Sequence, residues 1–279
     1  MKRNDFETVI DAGSNKLDFF ELVKYKDLIV MFAKRYFTIV YKQTILGPIW
    51  ILLNPLISSV VFTFIFGQLA GMSTDGTPQI LFYMAGNCLW GILSSCITNV
   101  ASTLTANASI FGKVYFPRLV IPVSQVLTSI VNFFIQFSMF VLFYIYFYAT
   151  GSPISPNITI LLAPIVIVQM SVLGFGVGLI VSALTTKYRD LALAIGFGVQ
   201  LWMYVTPIVY PYSSLGGITK FVVGINPATW PVEIFRYALL GSGSIDYMLW
   251  GVSIAVTLLI LWIGITLFAK IERTFVDTI

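Results

Sequence analysis

Six uncharged apolar stretches, at 49–71, 80–105, 123–148, 160–184, 191–212 and 247–269, take up most of this chain. Each exceeds the roughly 20 residues that a helix rising about 1.5 Å per residue needs to cross a hydrocarbon core about 30 Å thick. The expected fold is all-α and integral to a membrane, with six transmembrane helices in a bundle over 49–269. An N-terminal amphipathic interfacial helix is expected over 22–46, and a re-entrant helical pair on the external side over 213–241. With 10% charged residues, the chain falls well below the roughly 25% of soluble domains. The polar segment 1–48 is too short and too poor in core-forming residues for a second domain, so one domain is expected over 1–279. Cys88 and Cys96 both fall within the second stretch and read as small buried apolar residues.

The basic residues are distributed unevenly. Eight precede the first span, from Lys2 to Lys42; Lys113 and Arg118 follow the second, Lys187 and Arg189 the fourth, and Lys270 and Arg273 the sixth. Fourteen of the 16 therefore share one side, and only Lys220 and Arg236 lie on the other. By the positive-inside rule both termini are expected in the cytoplasm. No secretory signal is expected in the first 27 residues, which mix acids and bases without an apolar core. A seventh crossing at 221–240 is disfavoured by Asn226, Pro227, Pro231, Glu233 and Arg236, and it would also carry Lys270 and Arg273 outside. A re-entrant pair fits better, because irregular backbone at membrane depth is tolerated only where protein or a water-filled cavity satisfies it.

At 100° per residue, Lys24, Asp27, Lys34, Arg35, Thr38 and Lys42 of the interfacial helix share one arc, with Ile29, Phe32, Ala33, Tyr36, Phe37 and Val40 opposite. Such a helix is expected in the membrane plane, its cationic face meeting anionic headgroups or a partner. Simple anchoring and substrate contact by Lys34, Arg35 and Lys42 both fit. Gly47 and Pro48 then turn the chain into the first span.

The segment 109–122 sets Phe111, Tyr115 and Phe116 beside Lys113 and Arg118, and 185–191 sets Tyr188 beside Arg189 and Asp190. Aromatics next to arginine anchor protein interfaces, and they equally anchor loops at headgroup level. Asn87, Gly91, Ser94, Thr98 and Thr105 recur at helical spacing on span two, as do Gln125, Ser129, Asn132 and Gln136 on span three. Helix packing and the lining of a hydrated conduit both account for such stripes. Gly174, Gly178 and Ser182 make a small-residue stripe assigned to close packing. Phe133, Phe137, Phe140, Tyr144 and Tyr148 share one face of span three, while Trp202, Tyr204 and Tyr210 crowd span five. Where Trp and Tyr line a pore, their flat faces and polar edges suit sugar rings.

Histidine is missing altogether, and no acid or base interrupts the six stretches. Ion-coupled transport needs intramembrane ionisable groups, and hydrolysis needs a nucleophile with its base or a set of metal ligands. There is no G-x-x-x-x-G-K-[ST] phosphate loop either. Energy for uphill movement would have to come from another chain docked on the cytoplasmic side.

Four segments carry a family resemblance: Tyr41-Lys-Gln-Thr-Ile-Leu-Gly-Pro-Ile-Trp-Ile-Leu-Leu-Asn-Pro55, Lys187-Tyr-Arg-Asp-Leu191, Thr206-Pro-Ile-Val-Tyr-Pro211 and Asn226-Pro-Ala-Thr-Trp-Pro231. In this order, from about Leu22 to the C-terminus, they resemble the membrane subunit of type-2 ABC exporters, in particular the permeases for polysaccharide, O-antigen and teichoic acid. The resemblance implies a homodimer in the bacterial inner membrane, bound to two ABC ATPase subunits that hold the ATP and Mg. No cofactor is expected on this chain, and no nucleic-acid partner. The substrate would be a polyprenyl-linked glycan, its pyrophosphate meeting Lys34, Arg35 and Lys42. The channel would be lined by Asn87, Ser94, Thr98, Gln125, Ser129, Asn132, Gln136, Trp202, Tyr204 and Tyr210. Coupling to the ATPase would fall to Phe111, Lys113, Tyr115, Phe116 and Arg118, supported by Tyr188, Arg189 and Asp190. Asn226, Trp230, Glu233 and Arg236 would form the external gate. Glu233 and Arg236, three residues apart on a helix, could pair in a low-dielectric setting or stay a solvated surface pair. A drug or lipid exporter is the alternative. A polyprenyl-dependent glycosyltransferase is disfavoured, since only Asp75, Glu233 and Asp246 are acids on the external side.

Overall fold

The computed structural model describes residues 19–42, 46–47, 49–107, 116–188 and 190–276, and among these it is helical without strands. Two helices, α1 (Phe19–Lys24) and α2 (Lys26–Lys42), precede the bundle. There follow α3 (Ile49–Phe62), prolonged as a π-helix over Thr63–Leu69, then α4 (Gln79–Ala101), the short α5 (Thr103–Ala106) and α6 (Val120–Ala149). Next come α7 (Ala163–Lys187), α8 (Leu191–Val205), α9 (Gly217–Ile225), α10 (Thr229–Leu240) and α11 (Tyr247–Val276).

Five helices are long and apolar enough to cross a membrane: Ile49–Leu69, Gln79–Ala101, Val120–Ala149, Ile158–Thr186 and Tyr247–Ile271. The stretch expected to span over 191–212 differs, because its helix stops at Val205. Pro207 disfavours a helical conformation at the residue before it, and Thr206 is extended, with φ −91° and ψ 140°. The 15 residues of α8 reach about 22 Å, short of a hydrocarbon core.

The bundle is built around α4, of which 78% of the apolar window is buried, whereas α3 and π-helix together reach 11% and α8 has no buried residue. Around it pack α3, α6, α7, α8 and α10. Between lipid-like surfaces there is little hydrophobic gain, so close backbone approach holds such helices together. The glycine stripe on α7 provides it. A Cβ on Gly174 would lie 2.6 Å from Cys96 Cβ and one on Gly178 2.7 Å from Val100 Cβ, both on α4. On the other side of α7, a Cβ on Gly176 would lie 2.9 Å from Leu261 Cα, and one on Gly264 only 2.5 Å from the Gly176 carbonyl oxygen. Cys96 lies in this seam, and both Cys88 and Cys96 are free and buried.

The interfacial helix expected over 22–46 breaks at Tyr25, and residues 43–45 lie outside the described set. Its apolar face is not left for lipid as expected. Phe32 and Ala33 are buried against the first turn of α6, with Phe32 at 5.8 Å from Phe116, while Val40 is exposed. Thr128 Oγ1 on α6 donates to the Ala33 carbonyl at 3.4 Å, and Tyr36 Oη donates to Asn107 Oδ1 at 2.7 Å. A stripe centred on Phe32 finds protein here because the descent into α6 passes directly under it.

Candidate functional site

Two structures bring the polar residues together. At the end of the bundle where residues 70–78, 150–157 and 206–246 meet, a side-chain clamp closes around the turn that follows α8. Arg236 on α10, 1% exposed, is its centre. Nη1 and Nη2 donate to the carbonyls of Pro207 and Ile208, each at 2.5 Å, and Nε to the Phe82 carbonyl at 3.3 Å. The guanidinium plane sits 3.6 Å from the Phe82 ring centroid. Those two carbonyls are available because the helix has already ended at Val205, and Gly86 leaves the space: a Cβ there would lie 2.5 Å from Nη2.

Glu233, one turn earlier and also buried, is 3.7 Å from Nη1 and accepts from the Tyr212 N–H at 3.4 Å. The pair expected from the i, i+3 spacing therefore forms in the interior, which removes the solvated alternative. The larger share of Arg236's bonding goes to backbone carbonyls, which no spacing rule could reveal. Burial pushes the Glu233 carboxyl up from 4.5 to about 7, against the opposing pull of Arg236 and the Tyr212 N–H. The folded chain thus holds this proton more tightly than the unfolded one. The resulting stabilisation is complete below 4.5 and is lost as pH rises through about 7. Thermal unfolding of the purified protein should shift to lower temperature as pH is raised through that window, and Glu233→Gln should flatten the dependence.

Asn226, at the turn between α9 and α10, locks the same region from a second direction. Its Nδ2 donates to Thr206 Oγ1 at 2.9 Å, and its Oδ1 accepts from Trp202 Nε1 at 3.0 Å and from the Ala228 N–H at 3.1 Å. Its neighbour Pro227 offers a carbonyl to Ser253 Oγ of α11 at 2.7 Å, and Ser253 in turn accepts from Gln169 Nε2 of α7 at 2.8 Å. Gln169 Oε1 accepts from Trp250 Nε1 at 2.8 Å, completing the chain. Two consecutive turn residues thereby fasten α8 on one side and α7 with α11 on the other. Trp230 Nε1 donates to the Gly224 carbonyl at 2.9 Å, folding α9 back onto α10. Of these partners, Asn226, Trp230, Glu233 and Arg236 are legible from sequence. Gln169, Trp250 and Ser253 are not, although a glutamine inside an apolar span was an available signal.

The second structure is an open groove of about 720 Å³ between α3 and α8. Its floor is the polar stripe of α4, with Asn87, Gly91, Ser94 and Thr98, joined by Asn132 and Gln136 of α6. Trp50 and Asn54 of α3 and Gln200 and Tyr204 of α8 form the rims, and Trp90 completes the aromatic part. Pro55 within α3 removes one backbone donor, and Ser59 links that helix to the floor by accepting from Asn87 Nδ2 at 2.8 Å. Among the described residues, Asn132 Oδ1 and Gln136 Oε1 are buried without a hydrogen-bond partner. Such acceptors call for water or a polar ligand.

Six residues singled out from sequence therefore meet in the groove: Asn87, Ser94, Thr98, Asn132, Gln136 and Tyr204. Four do not. Ser129 accepts from Asn99 Nδ2 at 3.4 Å, which places it in the α4–α6 seam, and the Gln125 side chain is buried beside Tyr36 of α2. Trp202 is taken up by Asn226, and Tyr210 Oη donates to the carbonyls of Tyr204 and Val205 at the end of α8. A helical stripe assigns residues to one side of a helix, and the neighbour on that side changes along its length. Trp50, Asn54, Trp90 and Gln200 were missed, although Trp50 with Asn54 and Gln200 with Tyr204 are each spaced one helical turn apart. On span three the aromatic ladder stacks in sequence, Phe133 on Phe137 at 5.6 Å and Tyr144 on Tyr148 at 6.4 Å, and it meets Phe235 of α10, so its inner part belongs to the core.

At the opposite end, Phe116 is buried against Phe32, Val120 and Ile121, Arg118 is half-buried, and Tyr188 and Asp190 are exposed. Lys34, Arg35 and Lys42 are exposed along α2. Phe111, Lys113, Tyr115 and Arg189 lie outside the described residues.

The profile of the ABC-2 type transporter family matches residues 27–240. The chain is 27% identical to an O-antigen export system permease protein RfbA of Klebsiella pneumoniae, over 90% of this chain and 94% of that one. It is 23% identical to an O-antigen export system permease protein RfbA of Myxococcus xanthus, over 93% of this chain and 98% of that one.

Proposed function

The chain belongs to the ABC-2 type transporter family, and from that premise we propose that it is the transmembrane subunit of an ATP-driven exporter of a lipid-linked polysaccharide of the O-antigen type. The groove between α3 and α8 carries this reading. Those two helices bury almost nothing within the subunit, yet the surface between them is amide, hydroxyl and aromatic in character. A second copy placed over α3 and α8 would cover their apolar faces and convert two grooves into one conduit. Many weak, near-equivalent contacts of this kind suit a sliding glycan better than a single tight site would. The amide-rich floor also favours a glycan over the apolar cargo of a drug or lipid exporter.

In this reading the short α8 completes its crossing through 206–212, giving six spans with both termini in the cytoplasm of the bacterial inner membrane, in keeping with the basic residues. The clamp around Arg236 and Asn226 then lies at the external mouth, where it acts as the gate. A separate ATPase subunit supplies the energy from the cytoplasmic side, docking on the segment that ends at Phe116 and Arg118, with Tyr188 and Asp190 beside it. Because α2 is packed on Phe116 and α6, movement imposed on that segment reaches the interfacial helix as well as the span. Exposed Lys34, Arg35 and Lys42 are placed to meet the pyrophosphate of the carrier lipid at the cytoplasmic rim.

Asn132→Leu combined with Gln136→Leu removes the two unpartnered acceptors from the floor. Export of O-antigen to the cell surface should fall by about tenfold, equivalent to about 1.4 kcal/mol, while the permease still co-purifies with its ATPase. Unchanged export by a normally assembled double variant would overturn the conduit.

A further inference from the structure

Between α9 and the start of α11 lies a cleft of about 430 Å³, within the roughly 300–1,000 Å³ of small-ligand sites. Its walls include Lys220 and Asp246, of opposite charge, together with Tyr212 and Phe221. The two charged groups form no ion pair with each other among the described residues: Lys220 Nζ lies 5.4 Å from the Tyr212 ring centroid, and Asp246 caps α11 through Oδ1, which accepts from the Met248 and Leu249 N–H groups at 3.0 and 3.1 Å. Oδ2 has no part in that cap. The cleft thus offers one cation and one carboxylate oxygen, separated and both available.

The outer face of α9 is apolar. Ile218, Phe221, Val222 and Ile225 follow the i, i+3, i+4, i+7 pattern, and all four are exposed, Ile218 to 82%. The side of α9 that packs inward, at Val223 and Gly224, is opposite; a Cβ on Gly224 would lie 2.7 Å from Tyr212 Oη. The exposed stripe continues onto Tyr247, Met248 and Val252 of α11. An apolar helix face with a lysine at its border, continuous with the exposed side of a membrane span, is the pattern of a helix lying at the bilayer interface. The helices left for a second copy are α3 and α8, whereas α9 packs on α10 and α11.

We infer that this cleft is a binding site for a phospholipid with a phosphoethanolamine headgroup, its phosphate on Lys220, its primary ammonium on Asp246 and its acyl chains along the outer stripe of α9. A phosphate alone would leave Asp246 repelling it, and a quaternary amine could not donate a hydrogen bond to the carboxylate, so the primary amine fits both partners. A lipid held there braces α9 and Tyr212, which are bonded to each other through Tyr212 Oη and the Lys220 carbonyl at 3.2 Å. The site stands on the local geometry, and the topology proposed above enters only in assigning the lipid to the outer leaflet.

The full-length protein, purified in mild detergent and returned to phosphatidylcholine nanodiscs containing either phosphatidylethanolamine or phosphatidylglycerol, is analysed by native mass spectrometry for retained lipid. The wild type should retain phosphatidylethanolamine about tenfold better than phosphatidylglycerol, a difference of about 1.4 kcal/mol. Lys220→Gln should lower retention of both lipids. Asp246→Asn, which keeps the helix cap, should abolish the preference for phosphatidylethanolamine alone. A fluorophore on Ile218→Cys should be quenched by brominated acyl chains. Equal retention of the two lipids by the wild type, wild-type behaviour of both variants, or an unquenched fluorophore, as expected if protein covers this face, would each overturn the site. Because none of these readouts measures glycan export, failure here leaves the exporter reading standing, and loss of export in the groove variant leaves this one standing.

Discussion

Arg236→Ala is expected to lower the stability of the folded subunit by about 3–5 kcal/mol, the usual cost of breaking a buried ion pair from one side. The substitution strips the donors from the carbonyls of Phe82, Pro207 and Ile208 and leaves Glu233 in the interior facing an empty volume. It also removes the plane that covers the Phe82 ring. Arg236→Lys should recover only part of the loss, because a single ammonium cannot serve carbonyls lying on two sides of a planar fork. Glu233→Gln makes the informative contrast. It keeps an acceptor for the Tyr212 N–H and removes a carboxyl that burial already biases toward its neutral form, so its cost should stay near 1 kcal/mol, that of an ordinary hydrogen bond. Thermal unfolding of the three purified variants and of the double variant Arg236→Ala/Glu233→Gln measures this. The double variant should be more stable than Arg236→Ala alone. If it is not, the charge of Glu233 is irrelevant and the carbonyl bonds carry the whole effect. An Arg236→Ala protein as stable as the wild type would dissolve the clamp.

The second large effect is expected at the glycines of the α4–α7–α11 sandwich. Gly176→Leu and Gly174→Leu should prevent accumulation of the folded protein in the membrane, since a side chain at either position would occupy space already held by backbone or Cβ atoms. Alanine is a graded version: about 1–3 kcal/mol of overpacking strain at Gly174, Gly176, Gly178 or Gly264. Gly251→Ala, with nothing within 4 Å of its added Cβ, serves as the control. It should be neutral or slightly stabilising, because alanine favours the helix. Membrane-fraction levels and melting temperatures across this series separate close packing from a general dislike of substitution. Equal tolerance at Gly176 and Gly251 would mean that α7 and α11 do not approach as closely as described.

Both effects arise where long-range packing meets a short local signal, and the two differ in how much of them could be read beforehand. The Gly174–Gly178–Ser182 stripe is periodic within a single helix, so close approach follows from the sequence. Gly176 and Gly264 carry the other interface of α7, yet neither belongs to that stripe. The ion pair is similar: spacing joins Glu233 to Arg236, whereas the carbonyls of Phe82, Pro207 and Ile208 come from two segments distant in the chain. In the groove, Asn132 and Gln136 lie together with Ser94 and Thr98, because consecutive turns of one stripe tend to meet one neighbour. Further along the same stripe the neighbour changes, to α4 at Ser129 and to Tyr36 of α2 at Gln125.

What the sequence determined by itself is the all-helical membrane character and the position of the apolar helices, since both depend on composition and period along a single segment. The tertiary structure alone decided that α2 gives its apolar face to α6 instead of lipid, and that Arg236 organises the backbone of another segment. Those outcomes depend on which unsatisfied carbonyl, groove or ring lies opposite a residue in space, and chain separation carries no information about that.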